Sequence, residues 1–548
     1  MSFFKRIANY TLSEQQLKWV LIFVAVLFSL IPVFVKFPFK INLFLAWEGA
    51  YRLANGQIPY RDFYLPMGIG FWIIPALFFK LFGAKLFTLI FAQCLINFIS
   101  CLAFIGIFRI LQVSRIKILL GLLVFCLSYV FVNFWPWYNQ TVFVFGLIAI
   151  YFLLKHFYGN TVTNKITYLA LTCFFLVLAF FTKQDGGALT IAIATVIIIA
   201  DSLLIRNYKW VALYFLLMAI FSIGFILPFL GFDFTYWFNL GQPPHFSRIS
   251  LGDILKDIFE HSNWLKFYLL VFVVIVFNKI NKESDFLKNR KSIHFILLSF
   301  GILVQAAIVQ VTSYIPHNVN IYFHSFALVF ILSNLKLEFN LTQLKYISVL
   351  VIFILFWWSN DYWRYGKRVV NRVFPQSVVQ GNDPSKISKY TWSLNKAQGA
   401  LKRQKWKLSK IPSFKNIYLP EATIEGILNI KKLVDENFDN TDDLKVLNMS
   451  ELTPLARELG YTPLVNHPLW FHKNVSIFDE QIKNICENIN KEYYDLVLFQ
   501  DIPNLNNFFP YELQSCLQSS SYCINDKFLA PRVKENSYIE VYVKKDCY

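Results

Sequence analysis

Long apolar runs decide what this chain can be. From Leu17 to Asp361 they follow one another at lengths of roughly 17 to 23 residues, each enough to cross a hydrocarbon core of about 30 Å. Twelve segments stand out, near 17–36, 67–83, 86–108, 117–133, 140–157, 166–182, 187–205, 210–230, 264–279, 292–311, 319–334 and 344–361. After Asp361 no such run occurs. Charged residues make up 16% of the chain, against about 25% in soluble domains, and the deficit lies before that point. The sequence predicts a polytopic α-helical membrane domain over residues 1–361 and a soluble α/β domain over 362–548.

Basic residues orient the helices. Connections rich in lysine and arginine lie at Arg109/Arg115/Lys117, Lys155/Lys165, Arg206/Lys209, Lys279–Lys291 and Lys336/Lys345. They alternate with poorly basic connections at 133–139, 183–186, 231–263 and 312–318. Lys5, Arg6 and Lys18 mark the N-terminus as cytoplasmic too. All five basic loops then fall inside if one early segment does not cross. The weakest is 67–83, which follows Pro66, contains Pro75 and ends at Lys80 and Gly83. Eleven crossings result. An outer loop 37–66, the non-crossing segment 67–83 and the C-terminal domain face the non-cytoplasmic side. The first run is too long for a cleaved signal and lacks a small-residue cleavage pattern. The net charge of +18 belongs to these loops, so a nucleic-acid partner is not expected; the bilayer is.

Polar residues collect in the outer connections. Trp47–Tyr60 reads as a short amphipathic helix with Glu48 and Arg52 as an i,i+4 pair, ended by Gly56. Pro59, Tyr60, Arg61 and Asp62 form a turn. FWPWYNQ, Phe134–Gln140, offers Tyr138 and Asn139 either as an interfacial belt or as a sugar-lining surface. FTKQDGG, Phe181–Gly187, places Lys183, Gln184 and Asp185 between two apolar runs, where unpaired charges are costly. A Lys183–Asp185 pair in a plain turn, or a cation for phosphate with a carboxylate for a hydroxyl, both satisfy that cost. His245 in the 231–263 loop and His317 before the next span are further lining candidates, with His324 nearby.

In the C-terminal region, Ile417–Leu419, Leu444–Leu447, Tyr494–Gln500 and the alternating YIEVYVKK read as strands. Ile424–Val434 and Phe478–Ile489 have helical spacing. There is no glycine-rich phosphate loop and no nucleophile motif. Four cysteines lie in apolar runs and four in this region, with no metal-type CxxC pair. A Cys516–Cys523 bridge is one option in an oxidising compartment.

The acid before Tyr51, the stretch GQIPYRDF, and the apolar segment ending KLFG (Lys80–Gly83) resemble the GT-C superfamily of membrane glycosyltransferases. The nearest group is the bacterial protein-mannosyltransferase-like and lipid A aminoarabinose-transferase-like one, and TKQDGG is similar to a stretch in those relatives. The resemblance covers roughly residues 15 to 360. In that family an acidic pair precedes a spaced tyrosine; Glu48 and Tyr51 match the second acid and the tyrosine. Trp47 occupies the place of the first acid, often the catalytic one. The resemblance implies transfer from a polyprenyl-phosphate-linked sugar to a lipid, glycan or protein hydroxyl, outside the cytoplasm, in a bacterial inner membrane. One general base serves an inverting displacement, and the order of preference is Glu48, Asp62, Asp185. Arg52, Arg61 or Lys183 would stabilise the departing phosphate; Tyr51, Tyr138, Asn139, Gln184, His245 and His317 would line the substrate. No metal ligand set and no cofactor are expected, a divalent ion being left open, and oligomeric state is not indicated. A lipid-linked glycan transporter and an inactive scaffold are the competing readings.

Overall fold

The computed structural model describes residues 9–34, 42–64, 68–127, 134–232, 234, 251–282, 286–313, 321–335, 338–358, 406–441, 443–469, 471, 477–501, 510–532 and 537–544. In chain order the helices are α1 Glu14–Phe34, α2 Asn42–Ala54, α3 Gly70–Phe82, α4 Leu86–Ile110, α5 Arg115–Phe125, α6 Tyr138–Tyr158, α7 Val162–Phe180, α8 Gln184–Ile205, α9 Lys209–Ile226, α10 Leu251–Lys256, α11 Asn263–Lys282, α12 Arg290–Ser313, α13 Ile321–Asn334 and α14 Leu344–Trp357. The C-terminal region adds α15 Glu421–Asn437, α16 Leu455–Leu459, α17 Phe478–Asn490 and α18 Tyr511–Gln518. Its strands are β2 Trp406–Leu408, β3 Tyr418–Pro420, β4 Val446–Met449, β5 His467–Pro468, β6 Leu496–Gln500, β7 Cys523–Leu529 and β8 Tyr538–Val543; β1, Phe63–Tyr64, lies in the outer loop.

Among the described residues eight helices are long and apolar enough to cross a membrane, and α3, α13 and α14 are shorter apolar ones. A helix lies on every apolar segment anticipated from the sequence. The 13 residues of α3 extend about 20 Å at 1.5 Å per residue, short of the hydrocarbon thickness.

The chain divides into two compact units. The first comprises Met1–Val33, Pro66–Ile74 and Ile90–Tyr362. Its register is set by polar ties along α8 and α12. At one end Arg290 and His294 bind Asp201, with Arg290 Nη2 2.7 Å from Asp201 Oδ2 and His294 Nε2 2.9 Å from Oδ1. Tyr158 OH meets His294 Nδ1 at 2.8 Å, tying in α6. Midway, Gln305 Nε2 donates to Thr190 Oγ1 (3.1 Å) and Gly186 O (3.3 Å). At the far end Thr312 Oγ1 donates to Asp185 Oδ2 at 2.7 Å. Polar groups off the aqueous phase are costly unless paired, so these ties allow one alignment of the two helices. His324 is buried on α13, its Nδ1 3.0 Å from Tyr268 OH and its ring against Trp264.

The second unit gathers Phe34–Leu65, Pro75–Leu89 and Trp363–Tyr548, so the outer loop packs with the C-terminal region. A four-stranded mixed sheet of order β4-β6-β8-β7 forms its core: β4 and β6 are parallel, and β8 runs antiparallel to β6 and β7. All five residues of β6 are buried, as a strand covered on both faces requires. The parallel pair needs a crossover, supplied by α17. Cys486 of α17 is bonded to Cys516 of α18, with Cα atoms 5.6 Å apart. This corrects the Cys516–Cys523 option: Cys516 belongs to another bridge. The strands and helices anticipated for this region are present, joined by β2, β5, β7, α16 and α18, which the sequence pattern did not announce.

Candidate functional site

In the second unit the expected helix begins earlier than read and spans Asn42–Ala54. Gly56, at φ +82, lets Gly56 N reach Leu53 O (3.1 Å) and Gln57 N reach Arg52 O (3.0 Å), the pair of bonds that closes a helix on a left-handed residue. The loop then joins the C-terminal segment. Phe63 and Tyr64 pair in parallel with His467 and Pro468, Asn466 N donates to Asp62 O at 2.7 Å, and Gln57 Nε2 donates to Pro463 O at 2.6 Å.

Trp47, at the place of the missing acid, is fully buried. Its Nε1 donates to Ala84 O at 3.2 Å, and its ring stacks on Tyr51 at 4.4 Å and leans on Phe79. It is a packing anchor.

Glu48, next to it, faces differently. Arg52 Nε (2.9 Å) and Nη2 (2.8 Å) both donate to Glu48 Oε1. No hydrogen bond among the described residues falls on Oε2, and the side chain keeps 15% of its exposure. Burial pushes the Glu48 carboxyl above its usual range, and the charge and hydrogen bond of Arg52 draw it only part of the way back. Arg52 Nη1 donates to Gln57 Oε1 (2.9 Å) and to Leu464 O (2.7 Å). Four of the five guanidinium protons therefore have acceptors among the described residues.

Asp62 is engaged on both oxygens. Oδ1 accepts from Arg61 Nε, and Oδ2 accepts from Arg61 Nη2 and Ile58 N, all at 2.7 Å. The Arg61 bond outweighs burial and holds the carboxyl below its usual range. Arg61 is 46% exposed.

Beside Glu48 lies a cavity of about 40 Å³. Phe44, Glu48 and Arg52 of α2 form one wall; Asn448, at the carboxyl end of β4, Tyr461 and His467 form another. Asn448 Nδ2 donates to Tyr461 OH (3.2 Å), and its Oδ1 accepts from Ser450 Oγ (2.6 Å). Burial pushes the Tyr461 phenol up. His467 is pushed down to about 3 by burial and by the charge of Arg52, so it is neutral at ordinary pH. Sequence reasoning missed Asn448, Tyr461 and His467: no motif or spacing sets them apart from structural residues.

A second polar cluster belongs to the first unit. The anticipated Lys183–Asp185 pair is present at 2.9 Å. Asp185 lies in the first turn of α8, where a carboxylate is favoured by the helix dipole. Its Oδ1 accepts from Gly186 N (2.7 Å), and Oδ2 from Lys183 and Thr312. Lys183 sits over the Tyr138 ring at 5.9 Å. At Gly187 any Cβ would come within 2.3 Å of Phe180 Cα, which explains the second glycine of TKQDGG. Asn139 Oδ1 and both amide atoms of Gln140 are buried with no hydrogen-bond partner among the described residues. Gln184 is half-buried in the same turn. His245 and His317 lie outside the described residues. Among the described residues no group of three or more His, Cys, Asp or Glu side chains is placed to hold a metal ion.

No family model matches the sequence, and no curated protein does. Solved structures do. The arabinofuranosyltransferase AftD from Mycobacteria is similar with a TM-score of 0.50 and 12% identity, over 98% of this chain and 40% of AftD. ArnT from Cupriavidus metallidurans, bound to undecaprenyl phosphate, matches with a TM-score of 0.48 and 10% identity, over 96% of this chain and 98% of ArnT. The oligosaccharyltransferase of Archaeoglobus fulgidus matches at 0.43 and 8%, over 88% and 68%. The fold, a polytopic helical domain carrying a C-terminal mixed-sheet domain, is thus similar to that of AftD.

Proposed function

We propose that the protein is a GT-C glycosyltransferase. It moves a hexosyl or pentosyl group from a polyprenyl-phosphate donor to an acceptor hydroxyl on the non-cytoplasmic face of a bacterial inner membrane, with inversion. The N-terminus is cytoplasmic and the C-terminal domain extracytoplasmic, as the basic loops favour. The bridge between Cys486 and Cys516 accords with an oxidising compartment for that domain.

The observation that carries the reading is the asymmetry of Glu48. Arg52 holds Oε1, no hydrogen bond among the described residues falls on Oε2, and Glu48 lines a cavity in a setting that raises the carboxyl. A base needs that arrangement: fixed in direction, open on one oxygen, and tuned upward toward working pH. Asp62 ranks second as base, since both its oxygens already hold a turn, and Asp185 third. Arg61 and Lys183 are the cations for the donor phosphate, with Arg52 contributing one remaining N–H. Tyr51, Tyr138, Asn139, Gln184, His245 and His317 line the substrate.

The test uses full-length protein, lipid-linked sugars extracted from its native membranes, and E48Q. General-base loss costs about 10²- to 10⁴-fold, so E48Q should lose at least about a hundredfold in transfer while inserting normally. Wild-type turnover in E48Q would sink the assignment of Glu48 and point to another base, whereas no transfer by the wild type would favour the inactive-scaffold reading that buried Trp47 suggests.

A further inference from the structure

We propose that the cavity beside Glu48 seats the acceptor's reacting group, that this group is a primary alcohol on a slender arm, and that Tyr461 and His467 of the C-terminal domain select it. The inference rests on the reading of Glu48 as base.

Size is the first argument. The cavity measures about 40 Å³, whereas pockets that engulf whole ligands run to about 300–1,000 Å³. At about 10–15 Å³ per water-sized probe, the space takes a few waters or one hydroxymethyl group. A slender hydroxymethyl group fits that space with less displacement of the walls than a ring carbon with its hydroxyl and two ring neighbours. The walls that set this limit are stiff: Phe44 and Tyr461 are 1% and 3% exposed. Tyr461 is further fixed by Asn448, itself held by Ser450.

Chemistry is the second. A hydroxyl approaching Glu48 Oε2 gives up its proton there and needs a partner for its remaining lone pairs. Arg52 is nearly saturated by Glu48, Gln57 and Leu464. Asn448 is committed to Tyr461 and Leu452. His467 lines the same cavity, and its Nδ1 has no hydrogen-bond partner among the described residues. Kept neutral beside Arg52, the imidazole adds no second charge that would draw Glu48 away, and a small turn of the ring brings its buried Nδ1 to the hydroxyl. In the transfer step Glu48 takes the hydroxyl proton and the acceptor oxygen bonds to the anomeric carbon. The bond from that carbon to the phosphate oxygen breaks, its electron pair leaving with the polyprenyl phosphate.

The experiment uses small alcohols as acceptors for the full-length protein, with lipid-linked sugars extracted from its native membranes as donor. Methanol, ethanol and 2-propanol are added at equal concentration, and the alkyl glycosides are quantified by mass spectrometry. The wild type should form methyl and ethyl glycosides at least about tenfold over the 2-propyl product. Y461A, which opens the wall, should narrow that ratio to about threefold or less, whereas Y461F keeps the ring and should keep the ratio. If Y461A fails to fold, M449A opens the cavity from β4 and should do the same. H467A should lower alcohol transfer about tenfold or more relative to donor hydrolysis. Equal use of 2-propanol by the wild type, or an unchanged ratio in the opened variants, overturns the cavity assignment. Loss of all donor turnover in E48Q, with selectivity unmoved by Y461A, overturns this inference alone. Full turnover in E48Q removes the base reading beneath it, and no donor consumption by the wild type removes the transferase reading.

Discussion

Arg52 offers the sharpest test of how the candidate site is held. Arg52→Ala strips donors from three acceptors at once: Glu48 Oε1, Gln57 Oε1 and Leu464 O. The guanidinium and carboxylate are 5% and 15% exposed, so the pair behaves as a buried one. Removing one partner of such a pair costs about 3–5 kcal/mol, mostly the penalty of the charge left behind. Much of that cost falls on the junction between residues 48–64 and 463–469, because Arg52 bonds directly to Leu464 O and its neighbour Gln57 to Pro463 O. Hydrogen exchange followed by mass spectrometry reads it locally: amides such as Asn466 and Leu469, which bond to Asp62 O and Tyr64 O, should lose about 10²- to 10³-fold in protection. The double variant R52A/E48Q removes the stranded charge and should recover about 1–3 kcal/mol, as coupled neighbours do. R52A protection within threefold of wild type, or no recovery in the double variant, would refute the account of Arg52 as the tie between helix and C-terminal segment.

Other expectations follow from the same structure. Because burial raises Glu48 and a base acts when deprotonated, the acid limb of the kcat/KM profile should lie above pH 4.5, the ordinary glutamate value; in R52Q, which removes the opposing charge, it should move higher still. G187A places a methyl within 2.3 Å of Phe180 Cα, and because that neighbour is backbone the cost should exceed the 1–3 kcal/mol of ordinary overpacking, visible as loss of folded protein in detergent. The Cys486–Cys516 bridge closes a 30-residue separation, worth about 3–4 kcal/mol by chain entropy; C486A/C516A should lower the protection of α17 and α18 by at least a hundredfold, and the unreduced wild type should not be alkylated at Cys516.

The membrane helices were legible because apolar length is a direct consequence of bilayer thickness. The Glu48–Arg52 and Lys183–Asp185 pairs were legible for a similar reason: i,i+4 spacing and near-neighbour charges leave few alternatives. The C-terminal strands announced themselves where they are buried on both faces, as in Leu496–Gln500, but not in β7, which alternates weakly and buries only Phe528 and Leu529. Two things were hidden. The pairing of Phe63–Tyr64 with His467–Pro468 joins residues some four hundred positions apart, and two-residue strands carry no periodicity. The burial of Trp47 against Ala84 and Phe79 was hidden as well, since a tryptophan beside a membrane reads equally as an interfacial anchor. Tyr461 and His467 were invisible for the same cause: their placement is a property of the closed structure and not of local pattern.

That long-range junction also has a consequence in time. Arg52 and Leu464 are 412 residues apart. At about 5–20 residues per second of synthesis, roughly 20 to 80 seconds separate their emergence from the ribosome. Throughout that interval the loop bearing Glu48 is without its partner strand, and the wall formed by Tyr461 and His467 does not exist. If the proposed function holds, a nascent chain is therefore inert until the segment around residues 461–469 has reached the loop that carries Glu48.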